Sequence, residues 1–127
     1  MENSLSDIGQ IAVTVADVGT ALRFYRDVLG LELLFSPGPN LAFLAAGSVR
    51  IMLSTPQGAG TIGGNSILYF KVEDIEAAHR AIVRRGATSD RPPQLTAKMP
   101  DHELWIGFVR DPDGNLIGLM EEKRQRE

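Results

Sequence analysis

Cysteine is absent from the 127 residues, which removes disulfides, thiolate nucleophiles and Cys-ligated metals at once. Histidine is scarce, with two in the chain, and tryptophan occurs once. No charge dominates: 13 Lys and Arg against 16 Asp and Glu give a formal charge of −3. No basic stripe is present either, which argues against nucleic acid and against an anionic membrane as partners. The longest apolar runs, such as Leu41 to Ala46, fall far short of a bilayer. The opening MENSLSD lacks a basic region followed by an apolar stretch, so no signal peptide is expected. A cytoplasmic, globular protein is the expectation these absences leave. At 43% hydrophobic residues, a chain of this length can bury a core as a single domain spanning 1–127.

What is present is a repeat. Residues 11–30 read IAVTVADVGTALRFYRDVLG and residues 68–86 read LYFKVEDIEAAHRAIVRRG. Each is a β-rich run, then Val-x-Asp, then an amphipathic stretch closed by glycine. Val15 and Asp17 correspond to Val72 and Asp74. Both aspartates stand where a strand pattern gives way to a helix pattern, the place for an N-cap carboxylate. In the first helix Ala21, Leu22, Tyr25, Val28 and Leu29 share a face; in the second Ile75, Ala78, Ile82 and Val83 do. Gly30 and Gly86 then occupy the left-handed position that ends a helix.

Strand signals follow each helix: Leu31–Phe35, Leu41–Ala45 and Val49–Ser54, then Thr88–Ser89, Trp105–Val109 and Leu116–Met120. Asp111-Pro112-Asp113-Gly114-Asn115 has the chemistry of a turn. The predicted fold is α+β, two tandem βαβββ modules at about 8–54 and 67–122. A glycine-rich linker, 55–66, joins them, and 123–127 form a charged, solvated tail. Packed together, the modules would curve their sheets into a cup. Alternation turns Ile11, Val13 and Val15 toward the helix. Gln10, Ala12 and Thr14 then face the cup, with Arg50, Met52 and Ser54, with Ile67, Tyr69 and Lys71, and with Leu116, Gly118 and Met120.

Several strings resemble sites and are better read as structure. Gly58 to Gly63 matches GxGxxG, yet it runs into a strand pattern rather than opening a helix, so it reads as linker. Asp111, Asp113, Asn115 and Glu122 have calcium-loop spacing, but Leu116 stands where that loop needs glycine. His79 sits at the edge of the second helix's apolar stripe, a packing or surface position. Phe24 and Tyr25 read as core or subunit interface. No Gly-x-Ser-x-Gly elbow supports nucleophilic hydrolysis. His102 lies in PPQLTAKMPDHELW, a long excursion where the first module has only FSPGPNLAF; it reads as a loop able to fold over the cup mouth.

The segments IAVTVADVGTALRFYRDVLGLELL, ILYFKVEDIEAAHRAIVRRGA and FVRDPDGNLIGLMEE, in this order and spacing, resemble the vicinal oxygen chelate superfamily, the glyoxalase, bleomycin-resistance and dioxygenase group. The resemblance covers about residues 8–122. It implies a metal held in the cup by four His or Glu side chains, from the first and last strand of each module. By position these fall on Gln10, Met52, Ile67 and Gly118. None is a normal ligand for a divalent cation, so neither metal nor other cofactor is expected.

The expected function is therefore metal-independent binding of a small molecule. Gln10, Arg50, Tyr69 and Lys71 would supply polar contacts, and Met52, Ile67, Met120 and Trp105 apolar ones, around Gly118. The resemblance alone implies a homodimer. Two alternatives stand beside it. One is a metal-independent lyase or isomerase using His102 for proton transfer, with Asp101, Glu103 or Tyr69. The other is a metal-dependent glyoxalase or dioxygenase, which requires a different strand register.

Overall fold

The computed structural model describes residues 3–58 and 60–125. Ala59, within the GxGxxG string, and Arg126 and Glu127, at the end of the tail, lie outside the described residues. The chain divides after Ile62 into two compact units, inside the stretch read as linker.

In the first unit, β1 (Gln10–Thr14) leads into helix α1 (Val18–Leu22) and a π-helical turn (Arg23–Val28). Strands β2 (Glu32–Gly38), β3 (Leu41–Ala46) and β4 (Val49–Ser54) follow. In the second unit, β5 (Leu68–Lys71) and helix α2 (Ile75–Arg84) precede β6 (Thr88–Lys98), β7 (Glu103–Arg110) and β8 (Leu116–Lys123). The sheets are four-stranded, in the orders β1-β4-β3-β2 and β5-β8-β7-β6. In each, the first strand pairs parallel with the last and the remaining pairs are antiparallel. The α+β class and the duplicated βαβββ order follow the sequence.

Both helices start as the aspartates dictate. Asp17 accepts hydrogen bonds from the Thr20 amide at 2.8 Å and the Thr20 hydroxyl at 2.7 Å, and Asp74 accepts from the Ala77 amide at 3.1 Å. Gly30 (φ 86°) and Gly86 (φ 119°) take the left-handed conformation expected where each helix ends.

The interior of the first helix differs from expectation. The Leu29 amide donates to the Phe24 carbonyl at 2.9 Å, five residues back, so the turn is wider than an α-turn. That widening buries the consecutive Phe24 and Tyr25 together, their rings edge to face at 5.3 Å, while Leu22, Val28 and Leu29 stay half-buried. In α2, Val83 is exposed rather than part of the buried stripe, which rests on Ile75 and Ile82.

The helices take one face of each sheet. Val13, Ala42, Leu44, Ile51 and Leu53 are buried in the first unit, and Val109, Ile117 and Leu119 in the second. The opposite faces carry no helix. One end of the first open face is covered all the same: Thr14 and Ser54, expected to face a cup, are buried. Gly60 lies so close that a Cβ there would meet Thr14 Oγ1 at 1.9 Å. The linker packs on that end of the sheet.

The largest departure is β6. In place of a long loop, residues 88–98 form an eleven-residue strand with several register shifts, paired to β7. Met99 and His102 close a tight hairpin, the Met99 amide donating to the His102 carbonyl at 2.8 Å.

The turn between β7 and β8 is held by Asp111. This buried carboxylate accepts from the amides of Asp113 and Asn115, at 3.0 and 2.7 Å, and from Asn115 Nδ2 at 2.8 Å. The calcium-loop spacing thus marks an aspartate spent on its own turn. Removing it would strand buried donors, so Asp111→Ala should lower unfolding free energy by about 3 kcal/mol in urea titration. Asp113→Ala, at a half-buried site whose backbone amide rather than side chain meets Asp111, should cost far less.

Candidate functional site

The faces without helices are where the sequence-predicted residues gather, and each unit builds its own cluster. In the first, Gln10 pairs with Arg50 and Ala12 with Met52 across β1 and β4. Parallel register puts these side chains on one face, and their contacts agree. Arg50 Nε donates to Gln10 Oε1 at 2.8 Å, and Gln10 Nε2 lies 3.6 Å from the Met52 sulfur. The Arg50 guanidinium sits 5.0 Å from the centre of the Phe43 ring, and Phe43 stacks on Phe35 at 4.6 Å, 23° from parallel. Guanidinium, ring and ring form one row across β4, β3 and β2.

Neither phenylalanine was among the predicted site residues. Phe43 could have been found by extending alternation into Leu41–Ala45. Phe35 could not. Between Leu33 and Phe35 the β2–β3 register shifts, so Phe35 rather than Leu34 pairs with Phe43. A bulge of this kind moves a side chain to the other face and leaves no clear sequence sign.

In the second unit, Tyr69 pairs with Gly118 and Lys71 with Met120 across β5 and β8. Phe108 lies opposite Gly118 on the other side. The glycine leaves a gap that the flanking rings fill: Tyr69 and Phe108 meet edge to face at 5.8 Å. A Cβ on Gly118 would stand 2.5 Å from Tyr69 Cδ1. Ile67, expected within the fifth strand, stands just before its first paired residue, Leu68, and is exposed.

The register also relates two of the positions to one another. Ala12 pairs with Met52 and Tyr69 with Gly118, and Ala12 and Tyr69 are equivalent in the repeat, so Met52 and Gly118 are equivalent too. The residues there do not suit a divalent cation. The only hard donor atom among the four, Gln10 Oε1, is already taken by Arg50. At Gly118 the space a carboxylate would need is filled by the Tyr69 ring.

Trp105 does not belong with these residues. It pairs with Glu121 on β8, one step out of phase with Ile106–Met120 and Phe108–Gly118, and so lies on the face that carries the helix. There Lys123 Nζ sits 4.4 Å from the centre of its ring while also bonding Glu76 of α2. Trp105 Nε1 donates to Glu103 at 3.1 Å. Its place is structural, and the expected contact with a ligand is corrected accordingly.

His102 stands in a tight hairpin rather than a long loop. It ends the hairpin turn beside an open recess of about 450 Å³ that Lys98, Asp101, Glu103 and Arg124 help to line. Its Nδ1 lies 2.7 Å from Asp101 Oδ1, which places a proton on Nδ1, and Arg124 Nη1 reaches the other Asp101 oxygen at 2.6 Å. Along β7, six residues separate His102 from Phe108 in the Tyr69–Gly118 row, roughly 20 Å of strand. Of the three partners considered for His102, which were Asp101, Glu103 and Tyr69, Asp101 is the one it meets. His79 meets Ser89 Oγ at 3.0 Å, an interaction between α2 and β6.

Among the described residues, one acidic group, Asp74, Glu76 and Glu121, brings its oxygens within 4.8 Å of one another. Each has a structural duty. Asp74 caps α2, Glu121 Oε1 accepts from the Ile75 amide at 2.9 Å, and Glu76 holds Lys123. Among the described residues, no helix is long and apolar enough to cross a membrane.

Comparison with known proteins follows the same lines. The family model described as the Glyoxalase/Bleomycin resistance protein/Dioxygenase superfamily matches residues 7–119. A lactoylglutathione lyase from Haemophilus influenzae is 32% identical over 123 residues, 86% of this chain and 87% of that protein. Virulence protein STM3117 from Salmonella typhimurium is 27% identical over 132 residues, 90% of this chain and 83% of that one. Among solved structures, TnmS3, an antibiotic binding protein from Streptomyces sp. CB03234, superposes with a TM-score of 0.76 at 25% identity, covering 94% of this chain and 98% of its own.

Two outcomes follow from the geometry. Gly118→Ala should lower the melting temperature, at a cost of about 1–3 kcal/mol for forcing the Tyr69 ring aside. In a Tyr69→Ala background the same change should cost markedly less, and additive costs would show that the ring does not fill that space. The second outcome concerns acid. His102 first, then Arg124, holds the Asp101 carboxyl below its ordinary value. A depressed folded value means its contribution is present above the ordinary aspartate range and is lost as pH falls through the depressed one. Asp101→Asn should therefore flatten part of the acid limb of stability between those two values, read by thermal melts at stepped pH.

Proposed function

Because the chain belongs to the Glyoxalase/Bleomycin resistance protein/Dioxygenase superfamily, we propose that it is a metal-independent small-molecule-binding protein whose ligand rests on the sheet faces the helices leave open. One observation carries this. At the positions where the family resemblance puts metal ligands, the chain has built contacts of another kind. Gln10 is tied to Arg50 and Met52, and Tyr69 lies across Gly118. A carboxamide already engaged, a thioether, an isoleucine and a glycine make no site for a hard or borderline cation. What they leave is an open surface mixing aromatic and aliphatic groups with a few polar ones, a composition suited to small molecules.

The antibiotic-binding relative from Streptomyces supports small-molecule binding as a use for this fold. The similarity to a lactoylglutathione lyase supports the family equally. As part of the same proposal, the whole chain acts as one domain in the cytoplasm, and as a homodimer by family resemblance. The ligand-contacting residues are Gln10, Arg50, Met52, Ile67, Tyr69, Gly118 and Met120, joined by Phe35 and Phe43.

A second reading has one specific observation behind it, the Asp101–His102 pair beside its recess. A carboxylate on Nδ1 leaves Nε2 as the acceptor, the arrangement of a general base.

Protein purified without chelator should contain far less than one equivalent of Zn, Ni, Mn or Fe by elemental analysis, and adding those ions should not raise its melting temperature. A thermal-shift screen of small molecules should give hits that are recovered unchanged after long incubation. Stoichiometric, tightly held metal would overturn the proposal. Consumption of a bound compound, abolished by His102→Ala with binding retained, would replace it with the second reading.

A further inference from the structure

We propose that the Arg50–Phe43–Phe35 row selects planar, electron-rich aromatic anions, with the anionic group on Arg50 and the ring lying across the edges of the two phenylalanines. This deepens the binding function proposed above and rests on it.

The row is ordered by its own contacts. Arg50 stands 5.0 Å from the centre of the Phe43 ring, and Phe43 stacks on Phe35 at 4.6 Å. Side chains in a strand stand roughly perpendicular to the sheet, so groups stacked across strands present their edges outward. The edge of an aromatic ring carries positive potential and its face negative. The edge of a guanidinium carries N–H donors. All three outward edges are therefore electropositive, and the partner they suit is the negative face of an electron-rich ring bearing an anion. The row is about as long as a fused two-ring system.

Arg50 is prepared for that task. Gln10 Oε1 takes its Nε hydrogen at 2.8 Å and the guanidinium carbon lies over the Phe43 ring, 5.0 Å from its centre, two contacts that together hold the fork in place. Among the described residues it makes no salt bridge, whereas Arg26, Arg110, Lys123 and Arg124 each hold a carboxylate. A fork with fixed orientation and no carboxylate partner can take an anion in two parallel bonds. Glu32 lies in the same cross-strand row beyond Ala45, about 10 Å from Arg50 at sheet spacing. It would repel an anion extending toward β2, which favours a single anionic group at the β4 end.

The apolar part of the surface is available. Phe35 is 49% exposed although it stacks on a neighbour. Met52, on the same face beside Gln10, offers polarisable sulfur to a ring edge.

Three probes with one ring system and different charge test this on the full chain: 2-naphthoate, 2-naphthylmethanol and 2-naphthylmethylammonium, titrated calorimetrically. Naphthoate should bind about tenfold more tightly than the alcohol, the scale of one charge-assisted pair, and the ammonium should bind most weakly. Arg50→Gln should remove the preference for naphthoate over the alcohol, lowering naphthoate affinity far more than that of the alcohol. Phe35→Ala should weaken both. Arg50→Lys, which keeps the charge and loses the fork, should retain only part of the preference. Equal affinity for the three probes, or preference for the ammonium, overturns the proposal in the unmodified protein, whatever the variants do. If none of the three binds while other compounds stabilise the protein, this ligand class fails and the binding function stands. Stoichiometric metal with no ligand bound would fail both.

Discussion

Parallel pairing of the first and last strand in each unit is the constraint on which the rest depends. Parallel strands cannot be joined by a short turn, so the chain between them must carry a crossover element. In each unit that crossover begins with the aspartate-capped helix, which covers one face of the sheet. The other face is thereby left without a helix. Register across the parallel pair then decides which side chains share that face: Gln10 with Arg50 and Met52 in one unit, Tyr69 with Gly118 and Met120 in the other. Shifting one strand of either pair by one residue would turn its members of the cluster toward the face that carries the helix.

What the sequence alone could reveal follows from how local each feature is. Caps, helix-ending glycines and the Asp-Pro-Asp-Gly turn are set by a few adjacent residues, and all formed as expected. Alternation placed Gln10, Arg50, Met52, Tyr69, Gly118 and Met120 on the right face, because period-2 patterning survives in short regular strands. Where a residue is inserted or a turn widens, that logic fails. The bulge before Phe35, the π-helical turn that buries Phe24 beside Tyr25, and the phase of Trp105 each depend on pairings that local sequence does not specify. His102 was misplaced for a related reason. The stretch opening on Pro92 and Pro93 reads as loop, while the structure carries the strand begun at Thr88 through it to Lys98 by irregular register.

The two clusters share a theme despite having no residue in common. At each, a position where the family resemblance implies a metal ligand holds a residue that lets a neighbour do something else. Gly118 does so by yielding space, so that Tyr69 and Phe108 meet above a central strand. Gln10 does so by orienting Arg50. On the proposed reading, flat surfaces and one oriented guanidinium stand in place of donors converging on an ion, and recognition would rest on stacking rather than coordination.

The β6 strand carries one more consequence. It lies at the end of its sheet's strand order and is the longest strand in the chain, at eleven residues. A long free edge ordinarily invites another chain to add to it, the first step toward fibrillar aggregation. Pro92 and Pro93 offer no amide hydrogen to such a partner, and the register shifts on either side of them break the even spacing of donors and acceptors. The irregularity that hid this strand from sequence patterning is thus also what keeps its edge from acting as a template, and smoothing it into a regular strand would make the protein prone to self-association.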